Sequence, residues 1–167
     1  MCQLAQSKLI IQLPKALRDL FPDGVIQASY ANFGLIPYGH KIVSKLVLMR
    51  FFSQKIGTIH YDEKIDTLCE PIEQVDRLKD EIKVDRLTLR APFILADRGG
   101  CSFVTKVRNI EDAGGAVGIV IDSSDEDINY VAMSDDGSGA GIRMPSMLIS
   151  KKDGLKIIDF LKTASKE

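Results

Sequence analysis

Arg98 stands in the run Asp97, Arg98, Gly99, Gly100, Cys101, between an apolar stretch at 92–96 and a helical pattern that begins after Ser102. A guanidinium presents five donors in a rigid planar fork. Beside exposed backbone N–H groups it suits a carboxylate or a peptide backbone. In open α/β sheets, ligands bind at loops that leave the carboxyl ends of strands. The plainer reading is an arginine salt-bridged to Asp97 or to another neighbour.

Other chemistries are poorly supplied. The histidines are His40 and His60, and the cysteines are Cys2, Cys69 and Cys101. There is no C-x-x-C or H-x-x-x-H pair, so the sequence points to no metal site, and no cofactor is implied. Asp122, Asp125, Glu126 and Asp127 cluster, with Asp135 and Asp136 following. They lack the EF-hand register, and such a charge run reads as a solvated loop, with calcium as the alternative. The glycine-rich stretch 137–141 precedes a strand, whereas a phosphate cradle needs a helix after it. No G-x-S-x-G elbow is present. Cys101 before a helix N-terminus could have a lowered thiol pKa, but few bases are available to it. If a disulfide forms, Cys69–Cys101 is the best pair; the alternative is two reduced thiols.

The elements that would carry these residues follow from pattern. Residues 8–13 and 25–29 read as strands, separated by a Pro- and Gly-bearing segment at 14–24. Turn signals at 32–34 and 37–39 precede a long apolar strand at 41–52. The charged stretch 62–85 reads as a loop with a short helix around 73–81. The run 92–96 is a buried strand. Ser102 can cap a helix over 103–113 with Phe103, Val107 and Ile110 on one face. Gly114 and Gly115 stop it. Residues 116–121 are continuously apolar, as in a strand buried on both faces. The result is a βαβ unit with parallel strands. A strand at 144–149 and a helix opened by Ser150 and Asp153, bearing Leu155, Ile158 and Leu161, complete the chain.

The chain has 167 residues, 45% hydrophobic and 27% charged, with a formal net charge of −1. That fits one domain with a real core. Nucleic acid and anionic membranes select for a basic excess that is missing here. No apolar run approaches the ~20 residues of a spanning helix. No signal peptide is recognisable, and the reading favours a mature fragment of something larger.

Residues 93–121 read FILADRGGCSFVTKVRNIEDAGGAVGIVI. This resembles the signature of the protease-associated (PA) domain: an apolar strand, an Asp/Glu-Arg-Gly-x-Cys-x-Phe loop, a helix with a basic residue, then Gly-Gly-Ala and a second apolar strand. The later MPSMLISKKDGLKIIDFL is similar to the family's closing strand and helix. Residues 31–34, with Pro37-Tyr38-Gly39, look like the opening of the PA domain in vacuolar sorting receptors. The resemblance implies a PA-type α/β fold: a β-barrel-like core of mixed strands, flanked by helices and containing the βαβ unit. It divides the chain into a strand or arm at 1–24 and a PA domain at 25–167. It also implies a Cys69–Cys101 disulfide. Gly100 departs from the plant pattern, where an acidic residue is usual, so the same peptide specificity is not implied.

The function implied is non-catalytic. A peptide of a soluble cargo protein would meet Arg98, Gly99 and Gly100, with Asn32, Phe33 and Gly34 and the 135–143 loop as walls. The compartment would be the lumen of the secretory, endosomal or vacuolar pathway, or the cell exterior. A membrane would be reached only through segments outside this chain. The alternatives are an interaction or gating insert of a protease or membrane ubiquitin ligase, a secreted stand-alone PA protein, and a small α/β enzyme. The last lacks any acid/base pair or nucleophile constellation.

Overall fold

The computed structural model describes residues 6–12, 14–36, 39, 42, 46–48, 52–55, 58–61, 67–71 and 91–164. Six strands form one mixed sheet in the order β1-β2-β8-β7-β6-β3. β1 (Gln6–Ile10) pairs antiparallel with β2 (Val25–Tyr30), and β2 antiparallel with β8 (Ser146–Ile149). From β8 onward the pairing is parallel, to β7 (Val117–Ile121), then β6 (Phe93–Asp97), then β3 (Leu46–Leu48). A separate antiparallel hairpin joins β4 (Phe52–Lys55) to β5 (Thr58–Tyr61). The helices are α1 (Lys15–Arg18), α2 (Phe103–Asp112) and α3 (Lys151–Ala164).

The parallel centre is where the sequence is most apolar. β7 is buried at every position and β6 at its first four. Side chains alternate across a sheet with period two, and two cores result. Ile94, Ala96, Val120 and Leu148 pack on the side of α2, with its Val104, Val107 and Ile110. Leu95, Ile119, Ile121, Met147 and Ile149 pack on the other side, with Ile157 and Ile158 of α3. Each of these Val, Leu, Ile and Met side chains, once buried, contributes roughly 1.5–3 kcal/mol. The sheet thus lies between two helices, and β6-α2-β7 is the expected βαβ unit.

Helix boundaries follow their caps. Ser102 Oγ accepts from the Thr105 N–H at 3.1 Å and starts α2. The chain beyond α2 turns at Gly114, whose φ of 88° an L side chain would resist. Ser150 Oγ accepts from the Asp153 N–H at 3.1 Å and opens α3.

Two expectations, the face of α3 and the strand over 41–52, need correction. Among the described side chains, the apolar face of α3 is Gly154, Ile157 and Ile158, while Leu155 is 43% exposed; the expected Leu161 side chain lies outside those described. The cause is close packing: a Cβ on Gly154 would stand 2.4 Å from the Ile121 side chain, so the helix approaches the sheet there. The single strand expected over 41–52 is divided, because Leu46–Leu48 pairs with β6 whereas Phe52 pairs with Tyr61 in the hairpin. The segment 14–24 holds α1 and a tight turn at Pro22–Gly24. Leu9, Ile11, Leu17 and Phe21 join the α3-side core, so this part of the N-terminal arm packs with the rest. Residues 37, 38 and 40, and the helix expected around 73–81, lie outside the described residues.

Candidate functional site

The loop 98–101 leaves the carboxyl end of β6 and enters α2. Its start is fixed by the Arg98 N–H, which donates to the Ile121 carbonyl at 2.9 Å. Gly99 has φ 120° and Gly100 φ 75°. These values are accessible to glycine and costly for other residues. The Cys101 N–H donates back to the Gly99 carbonyl at 2.9 Å. That i to i+2 bond, with Gly100 at positive φ, is a γ-turn of the less common hand. Cys101 is joined to Cys69 by a disulfide, with their Cα atoms 5.7 Å apart. The pairing implied by the family resemblance is therefore present.

Arg98 has a firm partner. Its Nη1 donates to Asp122 Oδ1 at 2.8 Å, and its guanidinium lies 5.4 Å from the centre of the Phe103 ring. Asp122 is 24 positions away in sequence but adjacent in space, because Asp97 and Ile121 are partners across β6 and β7. The carboxylate is buried at the end of β7. It accepts from the N–H of Ser123 at 2.7 Å and of Ser124 at 3.3 Å, and from Ser124 Oγ at 3.2 Å. Burial alone would push the Asp122 carboxyl up. The Arg98 bond and the serine bonds outweigh it and hold the carboxyl below the usual carboxylate range. The ion pair braces Arg98 at its base, and the side chain stays 35% exposed.

Two buried polar side chains on α2 hold the other half of the loop. Lys106 Nζ donates to the carbonyls of Gly99 and Thr67, each at 2.5 Å. Asn109 Nδ2 donates to the Leu68 carbonyl at 2.8 Å. Leu68 itself has φ 51°, unusual for a leucine, and the Asn109 bond fixes that turn. Burial pulls the Lys106 ammonium down to about 8, opposed by the charge of Asp97.

The other expected wall residues play structural parts. Phe33 is buried in the α2-side core. The Asn32 N–H donates to the Met133 carbonyl at 3.1 Å, and its Oδ1 accepts from the Asp135 N–H at 2.7 Å. Gly34 has φ 75°, and a Cβ on it would meet the Met144 carbonyl at 2.6 Å. Residues 32–34 thus pin the segment 133–144. Asp136 in that segment accepts from the hydroxyls of Ser102 and Ser138 and from the Ser138 N–H, which bring its carboxyl down to about 2. Through Asp135 and Asp136 the Asn32 turn is linked to Ser102, next to Cys101. Arg98, Gly99 and Gly100 therefore form the exposed rim, with 135–138 alongside and Phe33 beneath.

The acidic run after β7 divides by task. Asp122 braces Arg98, and Asp127 Oδ1 accepts from the Asn129 N–H at 3.0 Å to start a short turn. Among the described residues, no group of His, Cys, Asp and Glu could hold a metal ion. Among them, too, no helix is long and apolar enough to cross a membrane.

The PA domain family model matches residues 69–157, more than half of the chain. The chain belongs to the PA domain family. Vacuolar-sorting receptor 2 of Arabidopsis thaliana is 27% identical over 158 residues, covering 91% of this chain and 22% of the receptor. Receptor homology region, transmembrane domain- and RING domain-containing protein 2 of the same plant is 30% identical over 100 residues, 60% of this chain and 20% of that protein. Human ER degradation-enhancing alpha-mannosidase-like protein 3 is 37% identical over 73 residues, 41% of this chain and 8% of that protein. The PA domain here spans about a fifth or less of the length of these relatives. The fold also matches part of a zinc aminopeptidase from Bacillus subtilis, with TM-score 0.55 and 13% identity over 94% of this chain and 29% of the enzyme.

Sequence reading singled out Arg98 and the glycines, noted a basic residue on the helix without giving Lys106 a role, did not name Asn109, and took Asp122 for part of a solvated cluster. The signal for Lys106 was available. It falls at 3 and 4 positions from Phe103 and Ile110, on the helix face that the apolar residues define.

Proposed function

We propose that this PA domain is a non-catalytic module that binds an extended peptide segment of a soluble cargo protein at the 98–101 loop. The observation that carries the proposal is the braced Arg98: a guanidinium about one-third exposed, held by a buried carboxylate, on a two-glycine loop at the end of a central strand. A pre-oriented fork loses little freedom when it meets a peptide carbonyl or carboxylate. The likeness to a vacuolar-sorting receptor over 91% of the chain supports the cargo reading. The disulfide fits an oxidising compartment, so we place the domain in a secretory, endosomal or vacuolar lumen or outside the cell. Residues 25–167, with the arm before them, form one domain in this reading.

The test is calorimetric titration with short peptides from the termini and sorting regions of lumenal hydrolases. Arg98→Ala removes the fork, and Arg98→Lys keeps a charge beside Asp122 while losing the fork. Saturable binding to the wild type, weakened about tenfold or more in both variants, is the expected result, since each tenfold step is about 1.4 kcal/mol. Absence of binding by folded wild type overturns it. A second reading, an interaction or gating insert, is favoured by the RING-containing relative. It expects retention of a folded partner protein with no binding of free peptides.

A further inference from the structure

Lys106 is fully buried, where α2 meets the 98–101 loop and the segment 67–69. A buried ammonium is costly unless its donors are used. Its Nζ donates to the carbonyls of Gly99 and Thr67, and Cys69 Sγ lies 3.6 Å away. Those carbonyls belong to the two segments that the disulfide joins. The disulfide sets how far apart the segments stand. It does not by itself fix which way the Gly99 peptide faces, because glycines at φ 120° and 75° can rotate with no Cβ to stop them. The Gly99 carbonyl accepts from two donors, the Cys101 N–H at 2.9 Å in the γ-turn and Lys106 Nζ at 2.5 Å, and Lys106 is the one that ties it to α2.

A trans peptide unit points its C=O and the following N–H in opposite directions. With the Gly99 carbonyl turned inward to Lys106, the Gly100 N–H is turned outward. Gly100 is exposed, and no described residue accepts from that N–H. We infer that Lys106 is a positioning residue for the peptide site: it holds the Gly99–Gly100 peptide so that the Gly100 N–H faces the ligand on the same loop as the Arg98 guanidinium. The two donors together suit one peptide carbonyl and its neighbour, or a single carboxylate. The role in binding rests on the proposed function; the orientation of the peptide does not.

The experiment uses the whole chain, with Lys106→Met, which fills the same space without a donor, and Lys106→Gln, which restores one neutral donor. The first readout needs no ligand: the carbonyl ¹³C shift of Gly99, followed by NMR from pH 6.5 to 9.5. The facing groups are Asp97, the two carbonyls and the disulfide, so Lys106 is the group that titrates there, at about 8. Wild type is expected to show a Gly99 transition with that midpoint, and Lys106→Met to show none. The second readout is the dissociation constant of a peptide that wild type binds. It should rise at least tenfold in Lys106→Met, rise less in Lys106→Gln, and rise in wild type as pH passes 8. A Gly99 carbonyl that moves with neither pH nor substitution overturns the inference. So does a folded Lys106→Met that binds peptide like wild type. If wild type binds no peptide at all, the proposed function fails, and the Gly99 shift still decides the orientation.

Discussion

Replacing Asp122 by Asn tests the brace beneath Arg98 with the least change of shape. The amide keeps the volume and one carbonyl oxygen, so the Ser123 and Ser124 N–H groups retain an acceptor. What is lost is the charge, on which one guanidinium bond and three serine bonds converge. A bond to a charged group is worth about 1.5–3 kcal/mol and a neutral one about 1, so each conversion costs roughly 0.5–1.5 kcal/mol. The Arg98 share is cut by solvent because the guanidinium is 35% exposed. The expected loss is about 2 kcal/mol, or about 4–8 °C in Tm for a chain of this size. Urea unfolding at pH 7 should show a lower midpoint at unchanged slope. The pH dependence makes the test specific. The folded pKa of Asp122 is depressed, so its contribution is present above the unfolded value of about 3.9 and is lost as pH falls through the folded pKa. The gap between wild type and Asp122→Asn should therefore close in acid. A gap of the same size at pH 2 and at pH 7 would refute the reasoning, since it would come from packing and not from charge.

Three further outcomes follow from the same geometry. Opening the disulfide with Cys69→Ser and Cys101→Ser removes a 32-residue cross-link and should cost about 3–4 kcal/mol by denaturant unfolding. Asn109→Ala strips the buried Leu68 carbonyl of its donor and should lower stability by about 1–3 kcal/mol, with faster amide exchange at 67–69. Gly154→Ala drives a methyl to within 2.4 Å of Ile121 and should cost about 1–3 kcal/mol in Tm-monitored unfolding.

The elements around the βαβ unit were legible because their signals are local. Continuous apolarity over 116–121, a serine cap at 102 and a pair of glycines at 114 and 115 each act within a few residues. They agree with the structure to within a residue or so. The face of α3 was read less well, because the apolar Leu155 competed with a glycine. Periodicity weighs side-chain hydrophobicity, whereas here the missing side chain of Gly154 lets the helix settle on Ile121. The strand over 41–52 was read as one because apolar composition does not record where a chain changes sheet.

The site was half legible for a related reason. Arg98, Gly99 and Gly100 declare themselves, since a charge between a buried strand and a capped helix has to sit at a strand end. Their supports come from elsewhere: Asp122 through strand pairing, Lys106 and Asn109 through a helix face, Thr67 and Leu68 through the disulfide. A charged residue among apolar ones at helical spacing reads as an interruption until its partners are known. Physically it is the reverse. A lysine placed where only apolar side chains fit persists when backbone carbonyls are waiting for it, so the conflict in the pattern of α2 marks the point at which the helix takes hold of the loop.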